Sequence, residues 1–231
     1  MNTAILIGFP LMASLLILFV KPEQAKKFAF ALSIVELVLS FYALSKFKIN
    51  AEPQMMVNLV WVQSLGIHFK VAMDGISILL VLLTTVLVPL IILSSFNREI
   101  KNPNSFYALI LFMQMALVGV FTAMDGFLFY IFWELALIPI WFICLLWGGD
   151  NRARITFKFF VYTLAGSLLM LVALIYLYLH TGWMPGNPDW LGAHSFDIQS
   201  LYAAGKSLSS AEQTWIFWAL FIAFAIKMPV F

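Results

Sequence analysis

Seven runs of mostly apolar residues, each close to the roughly 20 residues that a membrane-spanning helix needs, follow one another along this chain. They are Thr3–Val20, Lys27–Lys46, Ala72–Ser95, Ser105–Ala123, Gly126–Trp147, Thr156–His180 and Thr214–Phe231. The composition agrees, because 63% of the residues are hydrophobic and 10% are charged, whereas about 25% are charged in an average soluble domain. We therefore predict an all-α fold: a polytopic membrane helix bundle with about seven transmembrane helices.

Two longer stretches, residues 47–71 and 181–213, separate the runs and are predicted to be outside loops. The first contains LVWVQSLGIHFKV, in which β-favouring residues surround a glycine, and this pattern predicts a short hairpin. The second is rich in Gly, Pro, Asp and Ser, which is typical of a loop. We expect one domain over residues 1–104 and a second over residues 105–231.

The distribution of Lys and Arg predicts the orientation in the membrane. Basic residues gather in the turns after the first, third and fifth runs: Lys21, Lys26, Lys27, Arg98, Lys101, Arg152 and Arg154. The positive-inside tendency then puts these turns in the cytoplasm, with the N-terminus and both long loops outside. The lysines of the first long loop are the exception. No basic residue precedes the first run, so we interpret it as a membrane helix and not as a removed signal peptide.

Several function classes are excluded by what the chain lacks. It has no basic tract for nucleic acid, no Gly-rich phosphate loop and no Cys/His cluster with metal-ligand spacing. His68, His180 and His194 are too scattered for a haem or metal pair, and the single cysteine, Cys144, cannot hold an iron–sulfur cluster. We expect Cys144 to be a small buried apolar side chain, and we expect no cofactor and no metal in this chain.

Two ionisable residues lie near the middle of apolar runs. Glu134 is eight residues after Gly126, about 12 Å into the fifth run, and Lys227 is thirteen residues after Thr214, about 20 Å into the seventh. A charge at this depth costs at least about 2.5–3.5 kcal/mol and usually marks an ion or proton path. We therefore predict that Glu134 and Lys227 form a pair, directly or through water.

A proline follows each of these two residues. Pro139 is five residues after Glu134 and removes the donor that the carbonyl of Leu135 needs, and Pro229 is two residues after Lys227. We predict a break or kink in the helix at both places. Irregular backbone at membrane depth is tolerated where it lines a cavity or is buried in protein, and discontinuous helices recur at the ion sites of transporters.

The remaining charges are less informative. Glu36 is near the middle of the second run, and its sequence context leaves open whether it makes a polar contact with a neighbouring helix or has a function. Asp74 and Asp125 each precede a run and are predicted to cap helix N-termini. Lys158, near the cytoplasmic end of the sixth run, either extends its amine to the interface or begins a hydrated route from the cytoplasm.

Four segments resemble a known family, the antiporter-like subunits of respiratory complex I. The segment DGFLFYIFWELALIPIWFICLLWGG (125–149) is similar to their fifth helix, and KFFVYTLAGSLLML (158–171) to their sixth. AIKMPVF (225–231) resembles the start of the break in their seventh helix, and MDGISILLVLLTTVLVPL (73–90) resembles their third. The resemblance is to the M-type chains of bacterial NADH:quinone oxidoreductases, and it covers nearly the whole sequence.

The resemblance implies a fold of about fourteen helices with two inverted repeats, each containing a broken helix. It also implies that Glu134 and Lys227 are the central proton-handling pair. The sequence ends inside the broken seventh helix, so we expect it to be the first part of a longer subunit, with an incomplete first repeat.

The leading hypothesis is a membrane-arm subunit of NADH:quinone oxidoreductase in the cell's inner (plasma) membrane. It would translocate protons while NADH, FMN, iron–sulfur clusters and quinone react in partner subunits. Its partners would be other membrane-arm subunits, including neighbouring antiporter-like chains. The alternatives are a subunit of a multi-subunit cation/proton antiporter or membrane-bound hydrogenase, and a non-catalytic assembly protein.

Overall fold

The structure, a computed structural model, describes residues 2–49, 52–183 and 194–228. The helices in this part are α1 (Thr3–Ile17), α2 (Pro22–Lys46), α3 (Gly75–Ser94), α4 (Pro103–Thr122), α5 (Gly126–Leu135), α6 (Leu137–Trp147), α7 (Arg152–Leu179), α8 (Ile198–Ser207) and α9 (Ser210–Lys227). The strands are β1 (Gln54–Val62) and β2 (Ile67–Met73), which pair with each other.

The predicted helical membrane bundle is confirmed. Five spans in the described residues are long and apolar enough to cross a bilayer: α2, α3, α4, the span Gly126–Trp147 that α5 and α6 form together, and α7. Helix α1 is apolar but has only 15 residues. The chain is thus a multi-pass membrane protein, while the expected number of seven crossings stays a prediction.

Some helices extend beyond the apolar runs that predict them. Helix α2 begins at Pro22, five residues before Lys27, and α7 begins at Arg152, four residues before Thr156. Proline suits the first turn of a helix, where its missing N–H has no partner to lose. Long basic side chains can reach the interface from such an end. The apolar runs therefore understate the length of these two helices.

The hairpin predicted within residues 47–71 is confirmed. Strands β1 and β2 are joined by a short 3-10 turn at Gln63–Leu65 and by Gly66, whose φ is +59°. This left-handed conformation favours glycine, because a Cβ would be strained there. The other long stretch is less loop-like than its composition indicates, since it contains the amphipathic helix α8.

The chain forms two compact units. Unit 1 comprises Met1–Val57, Val71–Ala123 and Phe132–Trp147, and unit 2 comprises Asn58–Lys70, Met124–Ile131 and Gly148–Phe231. The predicted domain boundary at residue 104 depends on the family resemblance and stays a prediction.

In unit 1, helices α1 to α4 pack together, and α6 packs along α4. The buried face of α2 consists mostly of small residues, which let neighbouring helices approach closely: Ala25, Ala29, Ser33, Ser40 and Ala43. At one end of the cluster, Lys26 Nζ donates a hydrogen bond to the carbonyl of Phe96 at 3.2 Å, and the hydroxyls of Ser95 and Tyr107 lie 2.9 Å apart. Helices α2, α3 and α4 are therefore tied together at that end.

In unit 2, α7 packs against α8 and α9, and the hairpin meets a distant segment of the chain. The backbone N–H of Phe196 donates to Gly66 at 3.3 Å, that of Gly126 to Phe196 at 2.7 Å, and that of Ile198 to Met124 at 3.2 Å. The Lys70 ammonium forms an ion pair with Asp197. We call this set of contacts the hairpin clasp.

Candidate functional site

Glu134 is the second-last residue of α5 and lies two residues before a break in the membrane span. The span from Gly126 to Trp147 is interrupted at Ala136, between α5 and α6. The interruption follows Leu135, whose carbonyl has no helical donor because Pro139 has no N–H. Glu134 is half-buried, whereas Ala136 and Pro139 are buried. A carboxylate thus lies beside irregular backbone within an apolar span.

The packing of Phe132 positions this end of α5 on α4. Phe132 is 5% exposed, and its ring covers Gly119 so closely that a Cβ there would overlap it. Further along, the rings of Phe106 and Trp147 meet edge to face at 5.2 Å, and Trp147 Nε1 donates to the carbonyl of Lys101 at 2.7 Å. These contacts hold the segment Phe132–Trp147, which carries Glu134, against α4 at both of its ends.

Lys227 is the last residue of α9 and is half-buried. Its neighbour Ile226 packs against Gly166 of α7, where an added Cβ would lie 2.8 Å from Ile226 Cδ1. The absence of a side chain at Gly166 therefore lets α9 approach α7 beside the lysine. Pro229, the predicted second break, lies outside the described residues.

Lys158 lies in the second turn of α7 and is exposed. Beyond it on α7, Thr163 and Ser167 are buried, and each hydroxyl donates to a carbonyl of its own helix: Thr163 to Phe159 at 2.8 Å and Ser167 to Leu164 at 2.9 Å. Their hydroxyl oxygens keep lone pairs that can accept from water. The hydrated route considered for Lys158 stays a prediction.

Glu134 belongs to unit 1, and Lys158 and Lys227 belong to unit 2. The pairing of Glu134 with Lys227 therefore stays a prediction.

Both predicted N-terminal caps are confirmed. Asp74 accepts hydrogen bonds from the backbone of Ile76 at 3.0 Å and of Ser77 at 2.7 Å, and the bond from Ser77 holds the pKa of Asp74 below its usual value. Asp125 is fully buried and accepts from the backbone of Phe127 and Leu128, both at 3.0 Å. Burial raises the pKa of Asp125 above its usual value, and the backbone donors oppose that rise.

Asp125 also has a role that its position in the sequence does not reveal. Its second carboxylate oxygen accepts from the backbone N–H of His68 in β2 at 3.1 Å. One side chain therefore caps α5 and fastens it to the hairpin in unit 2.

Cys144 is exposed on α6, so the expectation of a buried cysteine was wrong. A cysteine on the outside of a membrane helix has lipid or a neighbouring protein as its apolar surroundings.

Two buried polar residues stand apart from the predicted pair. Glu36 is 1% exposed and Gln114 is 0% exposed, and none of their side-chain oxygen and nitrogen atoms has a hydrogen-bond partner among the described residues. The polar helix contact considered for Glu36 is therefore not made there. Gln114 was missed, although it is the one amide in the apolar segment LILFMQMALV.

Comparison with known proteins identifies relatives of the chain. Residues 123–231 match a family model described as "NADH:quinone oxidoreductase/Mrp antiporter, TM". The chain is 38% identical over 231 residues to "F(420)H(2) dehydrogenase subunit M" of Methanosarcina mazei, covering 99% of this chain and 46% of that protein. It is 37% identical over 212 residues to "NADH-quinone oxidoreductase subunit M" of Rhodobacter capsulatus, covering 90% of this chain and 40% of that protein.

The fold has a counterpart among solved structures. A chain of "Respiratory complex I from Thermus thermophilus with bound NADH" superimposes with a TM-score of 0.82 at 27% sequence identity, covering 98% of this chain and 44% of that chain. The present chain thus spans less than half the length of the curated relatives that it matches.

Proposed function

Because residues 123–231 match the family model described as NADH:quinone oxidoreductase/Mrp antiporter, we propose that the chain is part of a proton-translocating subunit in the membrane arm of an NADH:quinone oxidoreductase. The subunit would lie in the cell's inner (plasma) membrane with its N-terminus outside. Other membrane-arm subunits would be its partners, and NADH, FMN, iron–sulfur clusters and quinone would react in partner subunits. Subunit M of Rhodobacter capsulatus is named as part of such an enzyme.

One observation carries the proposal: a half-buried carboxylate, Glu134, adjoins an interruption of an apolar membrane span. A charged group at this depth is costly unless it exchanges protons or meets an opposite charge. At a break, backbone N–H and C=O groups that make no helical hydrogen bond can bond to water instead. Glu134 and water at Ala136 would together form a place where a proton can enter or leave.

Lys227 would be the second member of the pair. An ammonium close to an ionised carboxylate keeps its proton, and the same lysine releases the proton more easily when the carboxylate becomes neutral or moves away. Alternating the charge of Glu134 would therefore load and unload Lys227. Electron transfer in the partner subunits would drive that alternation.

Lys158 and the buried hydroxyls of α7 would supply the cytoplasmic side of the path. Lys158 is exposed at the beginning of α7 and can attract water into the helix interface. Thr163 and Ser167 follow at intervals of about one helical turn, and their hydroxyls can continue a chain of hydrogen bonds toward the site beside Gly166 and Ile226.

The test is proton pumping by inverted membrane vesicles that carry the full-length subunit in its complex. We expect Glu134→Gln and Lys227→Ala each to abolish acidification of the vesicle interior while the complex still assembles. The reason is that each substitution removes a proton carrier without adding bulk. The matched controls are Glu99→Gln and Lys206→Ala, which alter exposed residues and should leave pumping unchanged. Full pumping by the Glu134→Gln complex would refute the role.

The electron donor is tested in the same vesicles. NADH and reduced F420 are supplied in parallel, because the relative from Methanosarcina mazei is named as a subunit of an F(420)H(2) dehydrogenase. Acidification with NADH is the expected result. Acidification with reduced F420 alone would be consistent with the proposed proton path. It would mean that the partner subunits oxidise reduced F420 and not NADH.

A cation/proton antiporter subunit is the second candidate, since the matching family model includes Mrp antiporters in its description. Its signature is a pH change that follows a sodium gradient with no electron donor present. A non-catalytic assembly protein would instead leave every transport activity intact when Glu134 is replaced.

A further inference from the structure

Among the described residues of unit 1, Glu36 is the one buried carboxylate that the proposed proton path does not use. It lies in the middle of α2, 1% exposed, and both of its oxygens lack a hydrogen-bond partner among the described residues. Burying a polar group in this way is costly unless something absent from the protein chain bonds to it. The small residues on either side of it along α2 bring α3 and α4 close, so the site is enclosed by helices.

No cation is available to Glu36 from the helices that pack against α2. Helices α1, α3 and α4 contain no Asp, Glu, Lys or Arg in their described ranges. The one other titratable side chain within those ranges is Tyr107, whose hydroxyl is bonded to Ser95. On α2 itself, the nearest charges are Lys27, nine residues away, and Lys26 and Lys46, each ten residues away. These spacings correspond to about 13–15 Å along the helix.

An ionised carboxylate without a partner would be far more costly here than a neutral one. Transfer of a lone charge into an apolar interior is so unfavourable that such a group takes up a proton instead. The enclosed position and the lack of any nearby cation therefore favour the neutral carboxylic acid. A carboxylic acid has one donor and can accept at its second oxygen.

Gln114 of α4 supplies the complementary groups. It is 0% exposed, and both its amide oxygen and its amide nitrogen are unsatisfied among the described residues. Lys26 and Tyr107 mark the end at which α2 and α4 are tied together through α3. Glu36 is about 15 Å along α2 from Lys26, and Gln114 is about 10 Å along α4 from Tyr107. The two side chains thus lie within about one helical turn of the same depth.

The other buried polar side chains in this region are satisfied. Ser33 donates to Phe30 at 2.8 Å, and Ser40 and Thr85 share a hydrogen bond of 2.8 Å between their hydroxyls. The unmet hydrogen-bonding capacity of the helix cluster is therefore concentrated on Glu36 and Gln114. Buried water typically makes about three hydrogen bonds to such groups.

We propose that Glu36 and Gln114 form a buried proton-binding site in unit 1, in which Glu36 carries the proton as a neutral carboxylic acid and water bridges it to the Gln114 amide. The ligand class is a proton together with water. The inference does not rest on the proposed function, because both residues precede residue 123, where the family match begins.

The test is infrared spectroscopy of the intact complex carrying the full-length subunit, in H2O and in D2O. We expect Glu36→Gln to remove one carbonyl band of a protonated carboxylic acid, and we expect that band to shift to lower frequency in D2O. Glu134→Gln is the matched control and should leave the band in place. Gln114→Leu should move the band to higher frequency, because the acid carbonyl loses hydrogen bonding through water.

Other outcomes would overturn the proposal. Loss of carboxylate bands in Glu36→Gln, with the acid band retained, would mean that Glu36 is ionised. Carboxylate bands that change when potassium is replaced by sodium would identify a cation site instead. An unchanged acid band in Gln114→Leu would mean that Gln114 and the bridging water are not part of the site. If the Glu36→Gln complex does not assemble, Glu36→Asp is the second variant, because it keeps a carboxylic acid at this position. We expect Glu36→Asp to shift the frequency of the acid band. An acid band that does not shift would refute its assignment to Glu36.

Discussion

Glu212 illustrates how a single half-buried carboxylate acquires a defined role at the start of a helix. One of its oxygens accepts from the backbone N–H of Ser209 at 2.9 Å and from its hydroxyl at 2.5 Å, and the other accepts from the Tyr176 hydroxyl at 2.6 Å. The Ser209 hydroxyl and then Tyr176 lower the pKa of Glu212 from 4.5 to about 2. The same bonds complete a capping box on α9 and connect α9 to α7.

The shifted pKa of Glu212 predicts a pH dependence. Because its pKa is lower in the folded state, its contribution to stability is present above about pH 4.5 and is lost as the pH falls toward about 2. We expect the thermal unfolding midpoint of the complex in detergent to fall less steeply through this window in Glu212→Gln than in wild type. Added salt should shrink the difference, since the group is partly open to solvent. Glu99→Gln should follow wild type, and parallel curves for Glu212→Gln and wild type would contradict the prediction.

At the scale of single residues, the sequence predicts the features that depend only on residues nearby in the chain. Asp74 and Asp125 could be predicted as caps because each directly precedes a helix. The bond from His68 to Asp125 could not, because it joins residues that are 57 positions apart. Likewise, the lack of partners at Glu36 depends on which face of α2 meets α3 and α4, and apolar runs with little amphipathicity do not reveal that face.

At the scale of helices, Gly119 is a position where α4 and α5 pack directly on each other. A Cβ there would overlap the ring of Phe132, which lies two residues before Glu134. We expect Gly119→Ala to displace Phe132 and to destabilise the fold by about 1–3 kcal/mol through overpacking. Proton pumping should fall as well, because the end of α5 moves with Phe132. Thermal unfolding and vesicle acidification measure the two effects.

Gly8→Ala is the matched control for Gly119→Ala. A Cβ at Gly8 of α1 has no heavy atom within 4 Å, and alanine gains up to about 1 kcal/mol in helix propensity over glycine. The control should therefore be neutral or stabilising and should pump normally. A Gly119→Ala protein with wild-type stability would mean that the ring moves aside at no cost.

The elements themselves were largely predictable, because length and hydropathy decide them in a bilayer. The break in the fifth run lies three residues before Pro139, close to where the missing donor predicts it. Helix α8 was not anticipated, because it has only 10 residues and lies within a stretch rich in loop-forming residues. Its amphipathic face is buried by packing on α7, which the local sequence does not encode.

At the scale of the whole molecule, the distribution of basic residues predicts a definite orientation. We expect a cysteine introduced by Asp150→Cys to react with a membrane-impermeant maleimide only from the cytoplasmic side. A cysteine introduced by Lys206→Cys should react only from the outer side. Both positions are exposed, and both variants are made in a Cys144→Ser background because Cys144 is exposed too. Labelling of whole cells and of inverted vesicles checks the prediction, and reversed labelling of the two sites would contradict it.

The pairing of Glu134 with Lys227 also belongs to this scale. The sequence identifies each as a costly charge at membrane depth, but it cannot supply the distance between residues on different helices. Glu134 depends on the packing within unit 1, whereas Lys227 depends on α7 and α9 in unit 2. The proposed proton path would therefore be a property of the assembled subunit rather than of either segment.

The hairpin clasp sets an order of events during biosynthesis. Its contacts join Gly66 and Lys70 to residues 196 and 197, more than 120 positions later in the chain. The ribosome delivers these later residues only after all of α7 has been synthesised and inserted. Until then the hairpin and the start of α5 remain without these bonds, and such long-range closures are slow steps in folding. A ribosome that stalls within α7 would therefore leave a nascent chain whose hairpin lacks the clasp contacts. Chaperones and proteases on the hairpin's side of the membrane could then reach it.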